Sequence, residues 1–185
     1  MLRQHRDKII FSSCFAAGIA TGVYGPDSAG WFGLLTAGPV YMSVFFHEIG
    51  HTVFYWLYGY VAVPTFDFAS GGGMTYQLTG RTWMLQLGVY GAIGYFIWQS
   101  WRNNMGLLCV PLGSALALLV LTSFGNFHLA VVLFMGHGVE AMLAAFFLAR
   151  GYFNLWLTRP AERWLNVFIG AFMFAYAVTF VFDLM

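Results

Sequence analysis

Apolar residues dominate long stretches of this chain, and polar residues gather in the short intervals between them. The apolar runs fall at about 9–24, 31–58, 83–101, 105–122, 127–149 and 164–182. A helix that crosses a bilayer needs about 20 mostly apolar residues. The runs therefore predict about six transmembrane helices. Turn and polar material separates them: Gly25-Pro26-Asp27-Ser28 after the first, Arg102-Asn103-Asn104 after the third, Ser123-Phe124-Gly125-Asn126 after the fourth. Pro39 interrupts the second run, as a kink or as the true helix start. Gly18 and Gly22 mark a close helix contact in the first.

The interval 59–80 breaks this pattern. Val61, Val63, Phe66 and Phe68 read as short strand material, and Pro64 interrupts it. Gly71-Gly72-Gly73 supplies a bend, and Met74 to Leu78 forms the returning strand. Irregular backbone beside a membrane helix is tolerated only where protein or a water-filled cavity satisfies its polar groups. A hairpin folded against a polar site is expected. The predicted fold is an all-α polytopic membrane protein with a short glycine-rich β-hairpin after the second helix, in one domain over residues 1–185.

Composition agrees. The 185 residues are 60% hydrophobic and 8% charged, against roughly 25% charged in an ordinary soluble domain. Lipid is the solvent that fits so few charges. The net charge of +1 gives no electrostatic case for nucleic acid. Cys14 and Cys109 each stand alone in an apolar run, as small core residues rather than a disulfide framework or a metal motif. The first run follows a charged head, and no small-residue cleavage site precedes Pro26, so it reads as a retained span. Arg3, Arg6 and Lys8 place the N-terminus in the cytoplasm, with the chain in a cell inner membrane. Counting six crossings then puts Arg150, Arg159 and Arg163 outside, in conflict with the same rule, so either one run is re-entrant or short or the rule is overruled here.

Candidate chemistry sits in the second and fifth runs. His47-Glu48-Ile49-Gly50-His51 places ionisable groups inside an apolar helix, the default mark of a functional membrane site. Positions i and i+4 share a helix face, so two imidazoles there can hold one zinc ion. Glu48, about 100° around the helix from His47, reaches a metal-bound water without ligating and serves as general base. The alternative is a histidine pair satisfied by hydrogen bonds alone, a costly use of lipid-embedded polar groups. A catalytic zinc usually has a third protein ligand, and His137 is the candidate. Glu140 lies on the same face, as a fourth ligand or as an acceptor for the second imidazole N–H. His5 lies in the N-terminal tail, and His128 reads as interfacial. Asp67 reads as a turn or surface residue and Asp183 as interfacial. Gly71-Gly72-Gly73 is not a phosphate loop, since no Lys-Ser/Thr follows it.

The motif His47-Glu48-Ile49-Gly50-His51 in a membrane helix resembles the site-2 protease family of intramembrane zinc metalloproteases. Gly71-Gly72-Gly73-Met74-Thr75 with Gly80-Arg81 resembles the glycine-rich hairpin that follows the family's motif. The likeness covers about residues 40 to 100. It implies cleavage of a membrane-embedded protein, with the hairpin pairing an extended substrate by strand addition. The family's third ligand is an aspartate in an Asp-Gly motif on a later helix. This chain has no Asp-Gly, and His137-Gly138 stands nearest to it. Asn126 matches the family's asparagine ahead of that motif, while the fifth run lacks its prolines.

Three functions follow as expectations. One is a zinc peptidase acting on membrane-embedded substrates. Another is an inactive protease-like subunit of a larger membrane complex, its metal closed by four protein ligands. The third, a non-haem diiron protein, has only Glu48 and Glu140 to work with and a reversed His–Glu order in the fifth run.

Overall fold

A computed structural model of the chain describes residues 2–25, 30–67 and 72–183. Within them lie α1 (Leu2–Tyr24), α2 (Trp31–Leu57), β1 (Ala62–Asp67), β2 (Gly72–Gln77), α3 (Trp83–Arg102), α4 (Gly106–Thr122), α5 (Phe127–Phe153) and α6 (Pro160–Asp183). The predicted order of elements is found. Pro26, Asp27, Ser28, Phe68 and Gly71 lie outside the described residues.

Some element ends differ from the sequence reading, for local reasons. The charged head is helical, because α1 starts at Leu2. α2 neither starts nor ends at Pro39 but passes through it. α6 starts at Pro160 rather than Trp164. Proline suits the first helical position, where its missing N–H is not needed. The Glu162 carboxylate accepts the backbone N–H and the hydroxyl of Thr158, both at 3.3 Å, and so fixes the helix entry. α5 runs past Ala149 to Phe153. The last carbonyls of a helix lack intrahelical partners. Arg163 supplies them, donating to Gly151 O at 2.9 Å and Tyr152 O at 3.4 Å.

The hairpin is antiparallel. Leu78 N–H donates to Val61 O at 2.8 Å, and the Thr65 hydroxyl donates to Met74 O at 2.7 Å. Gly59, with φ +82°, turns the chain out of α2. A Cβ there would also lie 2.7 Å from Thr82 O, so glycine is required on both counts.

The chain divides into two compact units. The first holds α1, α2 as far as His47, the turn end of the hairpin, α5 from His137, and α6. Its core is Ala144, Phe172 and Met173, covered by Val40, Phe46, Phe147 and Tyr176 among others. α6 meets α1 at backbone distance: a Cβ on Gly18 would lie 2.5 Å from Phe168 O, and one on Gly22 would lie 2.6 Å from Phe172 O. Gly170 makes a similar approach to α5 at Ala144 O, 2.8 Å. The second unit holds the rest of α2, most of the hairpin, α3, α4 and the start of α5. Tyr58, Tyr60, Leu119 and Val132 are its buried core. Arg81 donates to Gln86 Oε1 and Ser123 O, and Gln86 donates to Ser123 Oγ, tying the start of α3 to the end of α4.

Six alternating crossings would make α1 and α6 antiparallel. They run parallel: Asp7 meets Arg163, Gly18 meets Phe168, and Gly22 meets Phe172. Among the described residues, α5 and α6 are long and apolar enough to cross a membrane, and α4 is apolar but has 17 residues. Among the described residues, large apolar side chains stand exposed on each of the six helices, as far as 89% at Leu107, 85% at Met84 and 83% at Trp31.

The α1–α6 contact is tested by Gly18→Ala. The added methyl overpacks a backbone-to-backbone contact and is expected to cost about 1–3 kcal/mol. Gly91→Ala on α3, where a Cβ meets nothing within 4 Å, is expected to leave stability unchanged or slightly raised. Thermal unfolding of the two variants in detergent gives the comparison.

Candidate metal centre

The site is built on one face of α2 and one of α5. His47, Glu48 and His51 occupy a single turn of α2 and bring one ligand atom each to within 4.8 Å of one another. His47, His137 and Glu140 form a second such group. The spacing that makes His137 and Glu140 share a face of α5 aims both at His47.

Glu140 organises the second group. Its side chain is almost fully enclosed. Carboxylate oxygens accept hydrogen bonds, and three side chains converge on this one. Ser43 Oγ donates to Oε1. His47 Nδ1 at 3.1 Å and His137 Nδ1 at 3.0 Å both lie against Oε2. The two rings meet edge to face, 4.4 Å between centroids. With Nδ1 as the donor, Nε2 of each neutral imidazole carries the lone pair. His51 has the same tautomer for a different reason: its Nδ1 lies 2.8 Å from the Val132 carbonyl, which only accepts. An acceptor behind Nδ1 fixes the ring and presents Nε2 as the ligating atom.

Glu48 is held by hydroxyls instead. The carboxylate is buried. Thr75 Oγ1 in β2 donates to Oε2 at 2.7 Å, and Thr52 Oγ1 donates to the Glu48 backbone carbonyl at 2.8 Å. The hairpin therefore reaches the motif through Thr75. Gly72 and Gly73, read from the sequence as part of a substrate-pairing segment, form the start of β2. The sheet has two strands, so β2 keeps an outer edge among the described residues. Phe66, near the hairpin turn, packs on Phe45 of α2 at 5.1 Å between ring centroids.

Several assignments change. His128 is buried rather than interfacial: Nδ1 donates to Gly125 O at 2.9 Å, and Nε2 accepts from Tyr60 OH at 2.7 Å. It is a structural residue of the second unit. Asp67 ends β1 and is exposed, in keeping with its reading as a turn or surface residue. Ser43, Thr52 and Thr75 were not singled out from the sequence. Ser43 was legible as a hydroxyl one helical turn before His47, on the same face. Thr75 had a weaker signal, its place just past the glycine run.

Within the first unit, His47 and His137 set imidazole nitrogens beside the Glu140 carboxylate, ligand types of the kind zinc takes. Comparison of the chain with protein-family models, with curated proteins and with solved structures finds no match.

Thr75→Val removes the hydroxyl that satisfies the Glu48 carboxylate. Leaving that group buried without its donor is expected to destabilise the protein by about 1–3 kcal/mol. Thr75→Ser, which restores the hydroxyl, is expected to recover most of the loss. Unfolding midpoints of both variants in detergent measure this.

Proposed function

We propose that the chain is a polytopic membrane protein and a zinc metallopeptidase of the site-2 protease kind, hydrolysing peptide bonds of membrane-embedded substrates. The observation that carries the reading is the Glu140 carboxylate facing Nδ1 of both His47 and His137. Such an arrangement serves to prepare Nε2 atoms for a metal. His47, His51 and His137 are the proposed ligands. Bound zinc would supply Lewis acidity and lower the pKa of a bound water toward about 7. Glu48, hydrogen-bonded by Thr75, would act as general base toward that water and then as general acid toward the leaving amine. The outer edge of β2 offers main-chain groups to an extended substrate strand.

Membrane embedding is supported by α5 and α6, and by the exposed large apolar side chains, which a soluble monomer rarely shows in such extent. The number of crossings is smaller than six alternating spans require, and the N-terminus is assigned to the cytoplasm. The alternative of an inactive subunit needs Glu140 as a fourth ligand. The three donors already satisfying Glu140 favour an open coordination position, and with it the enzyme.

The test uses Glu48→Gln and Glu140→Gln in the full chain. Glu48→Gln is expected to retain about one zinc per chain, by elemental analysis. Cleavage of a co-expressed membrane substrate should fall by about 10²–10⁴-fold. Undiminished cleavage would remove Glu48 from the mechanism. Glu140→Gln is expected to weaken zinc binding by about 10–100-fold in competition with a chelator. Wild-type protein purified without any metal would overturn the whole reading.

A further inference from the structure

The cations at the start of α1 and those between α5 and α6 gather at one end of the first unit. Two cavities open there. One, of about 490 Å³, is lined by Asp7, Lys8, Phe11, Ser12, Tyr152 and Arg163. The other, of about 210 Å³, shares Asp7 and Arg163 and adds Arg6, Arg159, Leu157 and Trp164 among its walls. Four cations thus surround one carboxylate. That carboxylate is already committed, since Asp7 Oδ2 pairs with Arg163 at 3.5 Å. Arg163 is committed too, through its bonds to Gly151 O and Tyr152 O. Among the described residues no carboxylate pairs with Arg6, Lys8 or Arg159, and all three are exposed.

The same end carries an aromatic rim. Tyr152, Phe153 and Trp156 are exposed, Trp156 to 81%. Asn154 and Trp156 have φ of +54° and +52°. A bulky side chain rarely adopts that conformation, and here it goes with a loop that displays an indole rather than burying it. Tryptophan and tyrosine favour the headgroup level of a bilayer. Basic pockets between helices at that level take anionic lipid headgroups.

We infer that these adjoining cavities bind an anionic phospholipid, its phosphate between Arg6 and Arg159 in the smaller one and the start of its acyl chains along Phe11 and Tyr152 in the larger, whose wall also carries Lys8. The inference rests on the membrane reading above but not on the metal or the peptidase. The shared chemistry is a phosphate group, and the apolar walls commit the site to a lipid rather than to free phosphate.

The experiment titrates full-length protein in detergent with short-chain phosphatidylglycerol, phosphatidylcholine of equal chain length, and inorganic phosphate, reading the rise in melting temperature. Phosphatidylglycerol is expected to stabilise at concentrations where the other two do not. Arg6→Ala, Lys8→Ala and Arg159→Ala should each weaken its apparent affinity about fivefold, and the triple variant about a hundredfold. Equal stabilisation by phosphatidylcholine would overturn the proposal, as would equal stabilisation by inorganic phosphate. So would an unchanged affinity in the triple variant. The wild-type comparisons decide the matter even if the triple variant does not fold. Extraction of the protein from membranes by alkaline carbonate, without detergent, would overturn the membrane reading and this inference with it. Loss of lipid selectivity in a detergent-requiring protein would overturn this inference alone.

Discussion

A carboxyl group enclosed as fully as Glu140 must find partners, because a buried polar group left unsatisfied costs about 1–3 kcal/mol. The chain answers with three, from Ser43, His47 and His137. That requirement fixes the packing of α2 against α5 within the first unit more tightly than the apolar contacts around it. Apolar side chains tolerate small slides past one another, whereas a carboxylate shared by two imidazoles and a hydroxyl has one register. The histidines inherit their tautomer from the same bonds. Packing and chemistry therefore depend on one group, and a change at Glu140 acts on both.

Glu48 shows what a different donor set does to the same side chain. It is buried like Glu140, yet its partner is the Thr75 hydroxyl in β2, not an imidazole. A threonine hydroxyl carries a single proton and no charge. It holds the carboxylate in place through one hydrogen bond. Glu140 faces two imidazoles and a hydroxyl, and Glu48 faces a hydroxyl. The hairpin earns its position beside α2 through this contact, since its two strands alone would be marginal.

Much of this was legible in the residues. Long apolar runs gave the helices in order, because lipid-length runs leave little ambiguity about period or boundary. The convergence of His47, His137 and Glu140 followed from helix spacing and from the cost of ionisable groups in apolar surroundings. What escaped were contacts that depend on three-dimensional approach. Ser43 and Thr75 are ordinary hydroxyls until a carboxylate lies beside them. His128 looked interfacial because its partners, Tyr60 and Gly125, come from separate segments. The ends of α5 and α6 were misjudged because Arg150, Arg159 and Arg163 read as loop charges. Arg163 instead caps the α5 carbonyls, and Pro160 starts α6.

Chain direction was the question the sequence left open, and the reason is physical. An apolar helix satisfies its own backbone wherever it lies, so an apolar run does not oblige the chain to cross. Cations are less permissive, because carrying them through a bilayer is expensive. Arg6 and Lys8 open α1, Arg150 lies in the last turn of α5, and Arg159 and Arg163 flank the start of α6. The parallel run of α1 and α6 puts all of these at one end. Six alternating crossings would set these two cationic segments on opposite faces of a bilayer, whereas the parallel pair keeps them together. The sequence left open a short or re-entrant run or an overruled charge rule, and the direction of α6 speaks for the former.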